Sequence, residues 1–248
     1  MTAWKALFCK EIRAGLPVFF VLSVFYLLLM SAGIWFDVST RSHGTLLIYG
    51  AMIIFTELFY PAAYLVVDTV FQRRTFQLWL YNPLPGWAML IAKLLSALLY
   101  MTVSAAAGIV YYLVGLFLAK SHEFPWEAVA VPRVMLFIAT FYWGALLVAV
   151  ACLFFLLLFL VLRSRLGRVL SGITALGGFA IFELFCHSAY PLMTEWGALT
   201  NGPVKLTLAP GSSLQLSPIY TGRIVFDLLT MCILFGLASW LMDHELEA

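Results

Sequence analysis

The stretch VFQRRTFQLWLYNPLPGWAMLIAKLL, residues 70–95, joins two long apolar runs of the chain. It holds paired arginines, a short aromatic segment and two prolines in quick succession. Thr75 is a residue type that caps helices, so the pattern predicts a short helix over about 75–82. Pro83 and Pro85 end that helix, because the residue before a proline is pushed out of the helical region. The segment is therefore a structured loop between two spans.

The apolar runs on either side place the chain in a lipid environment. Of its 248 residues, 64% are hydrophobic and 10% are charged. In a typical soluble domain, roughly 45–50% of the residues are apolar and about 25% are charged. A helix needs about 20 apolar residues to cross the hydrocarbon. We therefore expect an all-α membrane protein whose six transmembrane helices occupy residues 16–37, 46–69, 88–118, 134–162, 169–189 and 220–242.

The distribution of lysine and arginine predicts the orientation of these spans. One side of the predicted membrane carries nine basic residues in short segments: Lys5, Lys10, Arg13, Arg73, Arg74, Lys93, Arg163, Arg165 and Arg168. The other side carries five, spread over longer segments: Arg41, Lys120, Arg133, Lys205 and Arg223. Both termini are therefore expected to be cytoplasmic.

Residues 1–15 form an amphipathic pattern ahead of the first span. Apolar side chains share one helical face and the basic ones lie largely off it, which favours an interfacial elbow helix lying on the cytoplasmic leaflet. Gly15 and Pro17 would supply a bend before the first span. The alternative is a plain cytoplasmic extension of that span. The six-span domain would then occupy residues 16–248, with its longest outer loop at about 190–219.

Several acidic residues lie within the predicted spans, where a carboxylate costs several kcal/mol unless it meets a partner or a wet cavity. Glu57 stands near Pro61, which should free a backbone carbonyl and kink the second span. It would line a substrate pathway or subunit seam, or else be satisfied by a neighbouring hydroxyl or amide.

The remaining acids have possible partners one helical turn away. Asp227 follows Arg223 by four residues, which predicts an ion pair near the outer surface. Glu183 and His187 have the same spacing and predict a hydrogen-bonded pair. Together with Glu57 they are candidates for a pathway or a subunit seam. The four cysteines are widely separated, and no complete metal-ligand set is expected.

No nucleotide-binding or hydrolase signature occurs in the chain, including a P-loop, a zinc-protease motif or a nucleophile elbow. The residues therefore predict no enzyme of those classes and no nucleic-acid partner. Two alternatives stay open. One is an intramembrane enzyme in which Glu57, Glu183, His187 and Asp227 converge in one wet cavity. The other is a membrane sensor or scaffold whose cytoplasmic loop binds a regulator.

The loop resembles the cytoplasmic loop of ABC-2 type permeases, the membrane subunits of ATP-binding-cassette exporters. That family has a charged or polar lead, a short Thr/Phe-Glx-Leu-x-Leu helix, a Pro-Leu-x-x-Trp break and a lysine in the third span. The matching positions here are Arg73, Arg74, Thr75, Phe76, Gln77, Leu78, Leu80, Pro83, Leu84, Trp87 and Lys93. The family's usual acid-Arg lead and Gly-Thr are replaced by Gln72-Arg73-Arg74-Thr75.

The resemblance implies a bacterial plasma-membrane permease that pairs with a second permease, as a homodimer or a heterodimer, and works with a separate ATPase subunit. ATP and magnesium would bind to that ATPase, so no cofactor is expected in this chain. The segment at about 72–83 would be a coupling helix that docks on the ATPase. The residues implied in that contact are Arg73, Arg74, Thr75, Phe76, Gln77, Trp79 and Leu80. The exported substrate would be amphipathic, as in permeases for phenol-soluble modulins and antimicrobial peptides.

Overall fold

A computed structural model shows a helical bundle with six helices long and apolar enough to cross a membrane. It describes residues 2–40, 44–71, 85–118, 131–194, 196–197, 204–209, 212–216 and 220–244. The predicted class and the number of spans are confirmed for this part of the chain. The predicted coupling helix at 72–83 lies outside the described residues.

The helices follow the predicted apolar runs and extend beyond most of them. In chain order they are α1 Thr2–Thr40, α2 Gly44–Thr56, α3 Tyr60–Phe71, α4 Gly86–Leu118, α5 Val131–Leu166, α6 Arg168–Thr194 and α7 Thr221–His244. The second span consists of α2 and α3. Gly167, with φ of 80°, is the single residue between α5 and α6, where the sequence had predicted a longer basic loop. Arg163 and Arg165 therefore lie in the last turn of α5.

The first helix is continuous from Thr2 to Thr40, with Pro17 inside it. Residues 2–15 are therefore continuous with the first span, and the interfacial position of this segment stays a prediction. At 1.5 Å per residue the helix is about 58 Å long, roughly twice the hydrocarbon thickness. Its first turns are held on the bundle, because Leu7 and Glu11 are buried.

The second span is interrupted by a 3-10 turn at Glu57–Phe59, as the position of Pro61 led us to expect. Proline has no N–H, so Pro61 cannot donate to the Glu57 carbonyl four residues earlier. The Tyr60 N–H donates to that carbonyl instead. The interruption is therefore a local exchange of hydrogen-bonding partner, and it leaves α2 and α3 as two segments of one span.

The bundle packs in two connected groups of helices. Helices α1 to α4 pack on one another, α5 packs on α6 and α7, and the two groups meet where α3 contacts α5 and α4 contacts α7. Small residues are among the most deeply buried: Ala92, Ala97, Ala145, Ala149 and Ala238 are all 0% exposed. Small side chains let helix backbones approach closely, which is the main source of packing energy between helices in lipid.

The long loop between α6 and α7, which is predicted to lie on the outer side, contains an antiparallel hairpin that was not predicted from the sequence. Its strands are β1 Val204–Ala209 and β2 Ser212–Leu216, paired from Val204 with Leu216. The base of the loop is tied to α7, because the Thr221 N–H donates to the Gly197 carbonyl at 2.9 Å. Helix α6 reaches Thr194, so this loop begins later than the predicted residue 190.

Candidate functional site: a buried polar seam

Two stripes of polar side chains face each other along the second and third spans. Glu57, Tyr60, Tyr64 and Asp68 form one stripe, at spacings of three and four residues. Lys93, Ser96, Tyr100 and Ser104 form the other on α4. We call these eight residues, together with Glu11 of α1, the polar seam. The two stripes run antiparallel, since Asp68 meets Lys93 near one end and Glu57 meets Ser104 at the other.

A charged triad occupies the end of the seam that is predicted to be cytoplasmic. The Lys93 ammonium donates to Asp68 and also lies 3.3 Å from the Glu11 carboxylate. All three residues are at most 4% exposed. Charges buried this deeply are stable only as partners of one another. The triad therefore ties together the first turns of α1, the last turns of α3 and the first turns of α4.

Hydroxyl groups continue the seam toward the middle of the bundle. Ser96 donates to the Lys93 carbonyl at 2.8 Å, and its hydroxyl lies 3.5 Å from that of Tyr64. Tyr100 donates to the Ile12 carbonyl of α1 at 2.5 Å. The Tyr64 and Tyr100 rings lie 5.6 Å apart. The polar seam therefore connects α1, α3 and α4, and its hydrogen bonds fix which face each helix turns toward the others.

Glu57 ends the seam at the 3-10 turn. It is completely buried, and its Oε1 accepts a hydrogen bond of 2.5 Å from Ser104. The hydroxyl partner that the sequence analysis considered is therefore present. Its Oε2, however, has no hydrogen-bond partner among the described residues, and neither has the Tyr60 hydroxyl. Buried polar atoms without partners are rare and costly. The burial of Glu57 Oε2 without a partner therefore needs an explanation.

Asp227 of α7 belongs to a different cluster, outside the seam. Its carboxylate accepts from Trp143 Nε1 at 3.2 Å and from the Tyr190 hydroxyl at 3.2 Å. Arg223 Nε donates to the same Tyr190 hydroxyl at 2.7 Å. Tyr190 therefore links Arg223 to Asp227, and the direct ion pair between them stays a prediction. Trp143 lies on α5, Tyr190 on α6, and Arg223 and Asp227 on α7. The cluster therefore holds α5, α6 and α7 together.

Glu183 lies on the exposed surface of α6. The side chain of His187 lies outside the described residues, so the predicted pair between them stays a prediction. Glu57, Glu183 and Asp227 occupy three separate environments: a buried seam, an open helix face and a hydrogen-bonded cluster. The convergence that an intramembrane enzyme would need is not seen among these three residues. The part of the chain that the structure describes holds no group of three or more possible metal ligands.

The ends of the predicted coupling loop are anchored in the bundle, although Arg73, Arg74, Thr75, Phe76, Gln77, Trp79 and Leu80 themselves lie outside the described residues. On the α3 side, the anchor is Asp68 in the triad. On the α4 side, the Gly86 N–H donates to Asp243 Oδ1 at 2.9 Å. A Cβ at position 86 would lie 2.4 Å from that oxygen, so any larger residue there would displace the Asp243 carboxylate from this hydrogen bond.

The sequence analysis named Glu57 and the loop but missed the seam as a unit. Glu11 was not recognised, nor were Ser96 and Ser104 or the tyrosines between them. The available signal was the matching spacing of polar residues on two adjacent predicted spans, positions 57, 60, 64 and 68 against 93, 96, 100 and 104. Helix periodicity places each set on one face, whereas their pairing depends on how the two spans pack.

Comparison with protein-family models, with curated proteins and with solved structures found no match for this chain.

Proposed function

We propose that this chain is the permease subunit of an ATP-binding-cassette exporter and moves an amphipathic substrate, a membrane-active or antimicrobial peptide, out of the cell. ATP would be bound and hydrolysed by a separate cytoplasmic subunit docked on the loop between α3 and α4. The proposal rests on the resemblance of that loop to ABC-2 type permeases and on how the loop joins the bundle.

The observation that carries the proposal is the anchoring of the loop. Asp68 stands three residues before the end of α3, and Lys93 lies two turns into α4. Their buried contact, with Glu11 beside it, links both ends of the loop to α1. A displacement of the loop by an ATPase would therefore move three spans together. Packed elements of this kind transmit motion as a switch between discrete arrangements.

A second copy of the chain is proposed to cover the exposed face of α6. Glu183 is exposed there among Ile181, Leu184 and Phe185, which are each more than 60% exposed. A carboxylate facing hydrocarbon costs several kcal/mol, and acids in spans generally face a protein partner or a wet cavity. An interface or a substrate pathway between two copies would supply that environment for Glu183.

The test is co-purification with the ATP-binding-cassette subunit expected to be encoded beside this chain, followed by the ATPase rate of the complex. We expect Trp79→Ala and Arg74→Glu to abolish co-purification or to reduce the ATPase rate at least tenfold. The matched control is Trp35→Ala, because Trp35 is 74% exposed near the opposite end of α1. The proposal is wrong if no ATPase associates, or if the loop variants behave like the control.

A further inference from the structure

We propose that Glu57 is a proton-binding site: its carboxyl group holds one proton on Oε2 while the 3-10 turn is closed in the bundle. The ligand is the proton itself. This inference concerns the inner end of the polar seam and does not depend on the proposed transport function.

The first argument is the absence of compensating charge in a fully enclosed position. Glu57 is 0% exposed, and no lysine, arginine or histidine among the described residues pairs with it. An isolated carboxylate moved from water into an apolar medium loses far more free energy than a neutral carboxylic acid, and such groups neutralise. Glu11 provides the contrast, because it is almost as deeply buried but lies beside the Lys93 ammonium.

The second argument is the hydrogen-bonding geometry of the carboxyl group. Oε1 accepts from Ser104, which leaves Oε2 as the atom without a partner. The Tyr60 hydroxyl, three residues further along, also lacks a partner among the described residues. A protonated carboxyl gains an O–H donor that the ionised form does not have. The neutral form therefore suits a pocket whose surrounding groups are hydroxyls and apolar side chains.

Groups around the turn and Tyr60 come from three other helices. Helix α1 contributes Tyr26, whose ring stacks on Tyr60 at 6.2 Å between centroids. Helix α4 contributes Ser104, and α5 presents Gly144, whose position lies against Leu58. None of these groups is ionised at neutral pH. A motion that opens the turn to water would let Glu57 ionise and would release one proton to solvent.

The test is infrared spectroscopy of the full chain in lipid nanodiscs at neutral pH, reading the carbonyl stretch of protonated carboxyl groups. We expect a band that shifts to lower frequency in D₂O and loses intensity in Glu57→Gln. The matched control is Glu11→Gln, which should leave that band unchanged because Glu11 is ionised beside Lys93.

A second variant keeps the test decisive if Glu57→Gln does not fold. Ser104→Ala removes the hydrogen bond to Oε1 and should raise the frequency of the same band, since an unbonded carbonyl stretches at higher frequency. A carboxyl band that Glu57→Gln leaves unchanged would show that Glu57 is ionised and would overturn the proposal. Where Glu57→Gln does not fold, the absence of any carboxyl band that responds to Ser104→Ala overturns it.

Discussion

At the scale of single residues, Gly15 shows how a plausible sequence signal acquires a different meaning in the folded chain. Together with Pro17 it suggested a bend, but α1 continues through both positions. Gly15 is needed for close packing: a Cβ there would lie 1.7 Å from the Tyr64 hydroxyl and 3.1 Å from a Tyr100 ring carbon. Tyr64 is 1% exposed, so its ring is enclosed by neighbouring residues.

Gly15→Ala is therefore expected to destabilise the protein by about 1–3 kcal/mol, the usual cost of overpacking a tight core. Gly172→Ala is the matched control, because nothing lies within 4 Å of a Cβ at that position of α6. Gly172→Ala should leave the free energy of unfolding unchanged or raise it by up to about 1 kcal/mol, because alanine has a higher helix propensity than glycine. Unfolding in mixed micelles, followed by circular dichroism, measures both. Equal effects of the two substitutions would contradict the packing role of Gly15.

At the scale of elements, the triad decides how α1, α3 and α4 are held together. Lys93 is the only cation of the triad, and it serves both Asp68 and Glu11. The two acids are far apart in sequence, so neither is predictable as the partner of Lys93 from spacing alone. From the sequence, Lys93 was used only for the charge bias that orients the spans and for the loop's resemblance to permeases.

Lys93→Met should be more damaging than Asp68→Asn. Removing the ammonium leaves two carboxylates buried near each other, and breaking a buried ion pair from one side costs about 3–5 kcal/mol. Asp68→Asn leaves Lys93 beside Glu11, so part of the charge compensation remains. The same unfolding measurement in mixed micelles compares the two variants. If Asp68→Asn proves equally destabilising, Glu11 does not compensate Lys93 in the way the structure indicates.

At the scale of the whole molecule, the contacts place both ends of the chain together. The first turns of α1 meet the first turns of α4 through Glu11 and Lys93, and the last turn of α7 meets the start of α4 through Asp243 and Gly86. The first turns of α1 and the last turn of α7 therefore lie at the same end of the bundle. The positive charge bias predicts that this end is cytoplasmic.

Cysteine labelling tests that orientation. With Cys152, Cys186 and Cys232 replaced by alanine, the exposed Cys9 should react with a membrane-impermeant maleimide only after the cells are permeabilised. Replacing Cys9 as well and introducing Trp196→Cys, at a position 70% exposed in the outer loop, should give labelling in intact cells. The predicted orientation is wrong if Cys9 is labelled in intact cells.

Local patterns in the sequence were enough to predict the six helices and the break in the second span. These are local properties: an apolar run of sufficient length must be helical in lipid, because its backbone groups have no other hydrogen-bond partners there. Pro61 similarly acts on the carbonyl four residues before it. The resemblance of the loop, by contrast, supports a function that remains a proposal.

The tertiary structure alone decided which polar residues meet. Glu57, Glu183 and Asp227 look alike as acids in apolar runs, yet one is buried beside Ser104, one is exposed and one is held by Trp143 and Tyr190. The physical reason is that each partner lies on a helix distant in the chain. Pairing therefore depends on the rotation and register of the packed helices, which no local pattern specifies.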